Sequence, residues 1–235
     1  MIEIGRVAAV NRFPVKSMMG RALAAANLGW NGIEGDRQYA FVRAGDETRF
    51  PWLTGRDIAE MILHRADYLD AANPRHSPVR VATPEGEEFD LRDGALARRL
   101  AEMAGEAVRL IQLGRGTFDS APVSVVTRAS LAALGNRLGR PLEPARFRIN
   151  LILDSDASER DWLGHTVAFG SEEGPRLRLD RPIGRCRMIT IDPATAMRDP
   201  AILKMVAADF ANEVGVYGTP DRPGTLHPGD PVWLM

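Results

Sequence analysis

Residues 146–153 read Arg-Phe-Arg-Ile-Asn-Leu-Ile-Leu. Polar and apolar side chains alternate as far as Leu151, the two-residue period of a strand with one buried face. On that reading Arg146, Arg148 and Asn150 share one face, while Phe147, Ile149 and Leu151 turn to the core. Two guanidinium groups held in parallel on a rigid strand suit phosphate or another planar anion, through paired hydrogen bonds. A solvated face of ion pairs to Asp or Glu fits the same pattern.

Working outward, Val123–Val126 predicts a strand that leads into a helix over Ala129–Leu138. Residues 94–105 predict an amphipathic helix with Leu96, Leu100 and Met103 on one face and Gly105 as its stop. A strand at 107–113 follows it. Toward the N-terminus, residues 1–15 and 39–43 read as strands, residues 21–28 as a short helix by composition or a strand by context, and 56–64 as a short helix with Thr54 as a candidate N-cap. Toward the C-terminus, strands are expected near 167–169, 176–179, 188–191 and 231–234, with a helix over 200–212 and a Gly/Pro-rich loop after Tyr217. Many short strands among few helices predict an α+β fold, mainly β, with curled sheets or barrels and a boundary near 94–120.

The chain has 235 residues, 45% of them apolar and 26% charged, enough for a real core. Thirty basic residues balance 31 acidic ones, a formal charge of −1, which argues against broad binding of nucleic acid or acidic membranes and leaves room for a local anion pocket. No apolar run reaches the roughly 18–20 residues of a membrane span, and the first residues lack the pattern of a secretory signal. A cytoplasmic protein is the expectation. One cysteine excludes a disulfide framework and a Cys-clustered zinc or iron–sulfur site. Dinucleotide, P-loop, zinc-protease and serine-hydrolase signatures are all missing, and histidines 64, 76, 165 and 227 share no ligand spacing.

Three places could carry chemistry. Cys186 lies after a Pro-Gly loop at the expected start of a strand, between Arg185 and Arg187. Cations near a thiol favour the thiolate, yet strand alternation would point Cys186 away from both arginines unless a loop or bulge intervenes. A small buried hydrophobe is the plainer role for a lone cysteine. The Arg146, Arg148 and Asn150 set is the second. Lys16-Ser17 and Asp36-Arg37, each in a turn between strands, form the third, offering a point charge, a hydroxyl donor and a guanidinium.

In order along the chain stand Phe-Pro-Val-Lys-Ser at 13–17, Gly-Asp-Arg at 35–37, Leu-Thr-Gly-Arg at 53–56, Arg-Phe-Arg-Ile-Asn at 146–150, Asp-Trp at 161–162, Arg-Cys at 185–186 and Gly-Asp-Pro-Val at 229–232. The set resembles the MOSC-domain proteins, a family named for the C-terminal domain of molybdenum cofactor sulfurases, with the β-rich N-terminal part that accompanies that domain. The nearest relatives in that resemblance are the mitochondrial amidoxime reducing component and its bacterial counterparts. It implies a smaller β-rich N-terminal domain over 1–105, a β-barrel-like MOSC domain over 106–235, and a cleft between them for the molybdenum cofactor (molybdopterin). It further implies Cys186 as the thiolate ligand to molybdenum, Lys16, Ser17 and Arg37 at the phosphate end, and Arg146, Arg148 and Asn150 on the pterin side. Ser130 matches a Ser-Leu position of the family and is a further candidate contact. Two positions depart from the pattern: Ile149 stands where relatives often have proline, and Ile183 where many carry a second cysteine.

The function implied by the resemblance is an oxidoreductase that reduces N-hydroxylated or related N-/S-oxygenated small molecules, with electrons from a separate electron-transfer protein or reductase. Two alternatives stay open: a sulfur carrier or transferase working through a Cys186 persulfide, and a non-catalytic carrier of the molybdenum cofactor. The family is also associated with pyridoxal phosphate sulfurases, but no segment here reads as a domain for pyridoxal phosphate.

Overall fold

The structure is a computed structural model that describes residues 1–235. The first half contains β1 (Ile2–Arg12), β2 (Arg21–Leu23), β3 (Ala26–Gly29), β4 (Gly32–Ile33), β5 (Tyr39–Arg43), β6 (Arg65–Tyr68), β7 (Val79–Ala82), β8 (Glu88–Asp90), α1 (Ala95–Ala104) and β9 (Val108–Gln112). The second contains β10 (Val123–Thr127), α2 (Arg128–Leu138), β11 (Leu151–Asp154), β12 (Thr166–Phe169), β13 (Arg176–Gly184), α3 (Pro200–Asp209), β14 (Glu213–Arg222), β15 (Gly224–Leu226) and β16 (Pro231–Leu234).

Seven strands close into a barrel in the order β11-β10-β14-β13-β12-β16-β1, with β1 pairing back onto β11 and β2 added on β1. The fold is thus mainly β. All pairings in the ring are antiparallel except β10 with β11, and α2 supplies the crossover that a parallel pair requires. Alternate residues fill the interior, such as Val123 and Val125, Leu151 and Leu153, Val167 and Phe169, and Leu177 and Leu179. The first-half strands β5–β9 and β6–β7–β8 surround a second core with α1, containing Phe41, Met61, Val81, Leu96 and Leu100. A third core lies under α2 and α3, where Val126, Leu134, Phe147, Ile149, Ile189, Ile202 and Val206 meet. No helix is long and apolar enough to cross a membrane.

The barrel corrects the reading of 146–153. Only Leu151–Asp154 is strand; Pro144–Phe147 is a 3-10 turn with proline in its first turn, and Arg148 caps it in the left-handed region at φ 54°. Arg146, Arg148 and Asn150 therefore do not share a strand face. Arg148 is held there by tertiary bonds: its Nη1 donates to the Met18 carbonyl at 2.6 Å, and its own carbonyl accepts from Arg37 Nη2 at 2.7 Å. The strand expected near 188–191 is a 3-10 turn over Arg187–Thr190, closed by Thr190 Oγ1 donating to the Arg187 carbonyl at 2.7 Å. The loop expected after Tyr217 is the second half of β14, which spans Glu213–Arg222 and pairs with β10 and β13. The helix expected at 56–64 is a 3-10 turn over Ala59–Leu63, and Met103 of α1 faces solvent while Leu96 and Leu100 are buried.

Candidate functional site

After β1 the chain runs Phe13–Ser17 alongside β5. Tyr39 N donates to the Pro14 carbonyl at 3.1 Å and Lys16 N to the Tyr39 carbonyl at 2.8 Å. That pairing carries the Lys16 side chain inward, where its Nζ donates to the Thr117 carbonyl at 2.6 Å and to Asp119 Oδ1 at 2.7 Å. Burial lowers the pKa of this ammonium, and Asp119 opposes the shift. Ser17 and Arg37 both take left-handed backbone, at φ 66° and 48°. Two non-glycine residues with positive φ in turns facing one site mark backbone that tertiary contacts over-determine. Arg37 pairs with the buried carboxylate of Asp36, donates from Nη1 to Asn150 Oδ1 at 3.2 Å, and lies over the Phe13 ring at 4.8 Å. Asp36 in turn accepts from Phe13 N at 2.7 Å.

The opposite wall comes from the 146–150 turn and the end of β13. Arg146, 3% exposed, donates to the Ile189 carbonyl at 3.2 Å and to Asp192 Oδ2 at 2.9 Å, and its Nε is buried without a partner. The Arg148 guanidinium lies over Phe13 at 4.6 Å with a buried, unpartnered Nη2. Burial first, and then the adjacent Arg37, push its pKa down to about 9. Arg185 donates to the carbonyls of Val214 and Phe147, at 2.9 Å and 3.0 Å, and burial pushes its pKa down to about 10. The Asn150 side chain is fully engaged: Oδ1 accepts from Ser124 N, Ser124 Oγ and Arg37, and Nδ2 donates to the Asn11 carbonyl at 3.2 Å. It fastens the two halves of the chain beneath the site.

These groups surround a cavity of about 350 Å³. Seven of the eight residues singled out from the sequence line it: Lys16, Ser17, Arg37, Arg146, Arg148, Asn150 and Cys186. Cys186 is exposed and sits in the loop between β13 and the 3-10 turn, so no strand alternation governs it. Arg185 joins it on the cavity wall; Arg187 does not. Ser130 lies elsewhere, donating to Glu159 Oε2 at 2.6 Å near the start of α2. No histidine lines the cavity.

The sequence places Phe50, Phe118, Asp119 and Tyr217 within stretches expected at the pocket rim, 45–52, 114–120 and 216–227, without singling the residues out; all four line the cavity. Which side chains of those stretches turn to the cavity has no local signal in a single sequence. The sequence reads 155–160 as an acidic turn that contains Glu159. That carboxylate is buried, 1% exposed, and accepts from Thr127 N and Oγ1, from Ser130 Oγ and from Gly215 N. Six cations (Lys16, Arg37, Arg56, Arg146, Arg148, Arg185) face the cavity against the single carboxylate of Asp119. Such a surplus in a partly desolvated space favours an anionic guest.

A family model described as the MOSC domain matches residues 112–233. Mitochondrial amidoxime-reducing component 1 of Mus musculus is 30% identical over 132 residues, covering 50% of this chain and 37% of that protein. Its Danio rerio counterpart is 32% identical over 129 residues, with 50% and 38% covered. The match thus spans less than two fifths of these relatives' own length. Among solved structures, the YUAD protein from Bacillus subtilis superposes with a TM-score of 0.50 at 14% identity, over 98% of this chain and 94% of that one, a likeness of fold.

Proposed function

The chain belongs to the MOSC domain family, and on that premise we propose that it is a molybdenum-cofactor-dependent oxidoreductase acting on N-hydroxylated or related N-/S-oxygenated small molecules. The observation that carries this reading is the cavity itself: one exposed thiol on the wall of a space where six cations face one carboxylate. The residues present suit the cofactor. Its phosphate and its pterin dithiolene are anionic or rich in acceptors, and the buried donors Arg146 Nε and Arg148 Nη2 are without partners. Lys16, Ser17 and Arg37 would hold the phosphate, Arg146 and Arg148 the pterin, and Cys186 the metal as thiolate. Asn150 serves that set by positioning Arg37. No group of three His, Cys, Asp or Glu side chains is placed to hold a metal ion, so a metal at Cys186 would take its remaining ligands from the cofactor.

When bound, the cofactor supplies a redox centre able to take up a substrate oxygen. The chain's own part is positioning. Phe50, Phe118 and Tyr217 on the lining offer apolar surface for an aromatic substrate. Division of the chain into parts 1–105 and 106–235, cytoplasmic residence and electron supply by a separate protein belong to the same proposal. The similarity to amidoxime-reducing components supports it, and the short span of that match keeps substrate and partner as proposals.

The test uses protein purified from molybdate-supplied cells, reduced methyl viologen as electron source and an aromatic amidoxime as substrate. Turnover to the amidine, abolished by Cys186→Ser, is expected. A molybdenum-loaded protein that reduces no amidoxime or other N- or S-oxygenated probe would refute the reading. A second reading, sulfur carriage on a Cys186 persulfide, draws on the same exposed thiol. Mass spectrometry showing a sulfur adduct on metal-free protein after exposure to a cysteine desulfurase would favour it.

A further inference from the structure

Next to the cavity the surface carries a second, open cleft of about 710 Å³ in which Arg56, Arg187, Arg198 and Lys204 surround Asp57. Arg56 lines both spaces, and Arg187 directly follows Cys186. Four carboxylates on the elements around the cleft are already engaged. Asp57 is held by Arg43 at 2.8 Å, Asp192 by Arg146 at 2.9 Å and Asp209 by Arg137 at 2.8 Å, and Asp199 pairs with Arg140. None of the four cations makes an ion pair, although Asp57 and Asp119 act on Arg56 at longer range, on a chain whose overall charge is −1. Arg198 also donates to the carbonyls of Gly55 and Arg56, at 2.9 Å and 3.1 Å, which fixes the cleft's two sides together. Leu203 and Ala207 add apolar surface to the same cleft.

We propose that this cleft is the docking surface for an acidic, one-electron carrier protein; the proposal rests on the redox reading of the adjoining cavity. Removing one substrate oxygen as water consumes two electrons and two protons. Two reduced carriers would dock in turn and each leave oxidised, with the protons drawn from solvent. A compact patch of a few unpaired cations beside the apolar surface of Pro200, Leu203 and Ala207 fits a small, transient protein interface. An extended polyanion would meet a chain that carries net negative charge beyond this patch.

Full-length protein and plant-type [2Fe–2S] ferredoxin, an acidic one-electron carrier, give the test. Wild type is expected to bind oxidised ferredoxin at low ionic strength and to release it as salt rises. Arg187→Glu/Lys204→Glu alters two exposed side chains with no recorded bonds and is expected to weaken binding at least about tenfold. Arg98→Glu/Arg109→Glu, the same charge change elsewhere, is expected to leave it unaltered. Equal binding by wild type and the cleft variant, no binding by wild type, or tighter wild-type binding to duplex DNA or phosphatidylserine vesicles would each overturn the proposal. Viologen-driven turnover should be the same in wild type and the cleft variant. Its absence from molybdenum-loaded wild type would strike the oxidoreductase reading, whereas the ferredoxin binding arm judges the docking surface separately.

Discussion

Lys16 and Asp119 meet across the cavity, and their pair decides how an anion enters. Nζ is buried and already satisfied by Thr117 and Asp119, so a phosphate oxygen competes with an internal carboxylate. Charge-assisted bonds of this kind contribute about 1.5–3 kcal/mol. Lys16→Ala should therefore weaken inorganic phosphate binding about tenfold or more by calorimetry, and unchanged affinity would remove Lys16 from the site. Glu159 carries a structural role of similar weight. Glu159→Ala strands the buried donors of Thr127 and Gly215 and should cost about 3 kcal/mol in urea unfolding. The identities of the cavity residues were readable because charged types clustered in short motifs. Their geometry was not: Arg148 adopts φ 54° only because Met18, Phe13 and Arg37 hold it there, from segments more than a hundred residues away in sequence.

β14 shows what hid an element. Gly218 and Pro220 read as part of a loop after Tyr217, yet the segment sits in the middle of the barrel sheet. Gly215 has φ +78°, and a Cβ there would meet the Val125 carbonyl at 2.8 Å. A Cβ at Gly218 would strike the Leu177 side chain at 2.6 Å. These glycines permit close approach of neighbouring strands, a demand set by tertiary packing rather than by strand propensity. Gly215→Ala should lower stability by about 1–2 kcal/mol or more, read as a fall in melting temperature. By contrast α1 and α3 were legible from their apolar periodicity, and the strands at 2–12, 39–43 and 123–127 from runs of apolar and β-branched residues, with β10 buried on both faces. The 146–153 stretch carried a strand period too, but the turn begun by Pro144 and capped by Arg148 overrides its first half.

β1 pairs with β16, which joins the two ends of the sequence, and with β11, which closes the barrel; the cavity forms where segments from both halves face each other. A mainly β fold was evident from many short strands; closure depends on the two pairings of β1, between residues over a hundred apart, and leaves no local trace. Stability of the whole chain should respond to His64, 2% exposed, with Nδ1 at 3.0 Å from the Glu60 carbonyl and Nε2 unpartnered. Burial lowers its pKa, with the Glu60 carbonyl opposing. The unfolded chain then binds more protons between that lowered value and the ordinary 6.5, so stability is full above 6.5 and falls as pH drops through that window. His64→Gln should flatten this acid slope in chemical unfolding; an unchanged slope would assign it to other groups.

Elemental and pterin analysis of the protein purified from molybdate-supplied cells bears on everything argued about the cavity. Close to one molybdenum and one pterin per chain is expected in wild type, with the metal lost or readily removed by a chelator in Cys186→Ser. Metal-free, pterin-free wild type, or a Cys186→Ser protein that holds molybdenum as firmly as wild type, would contradict the assignment of this thiol and its ring of cations to the cofactor.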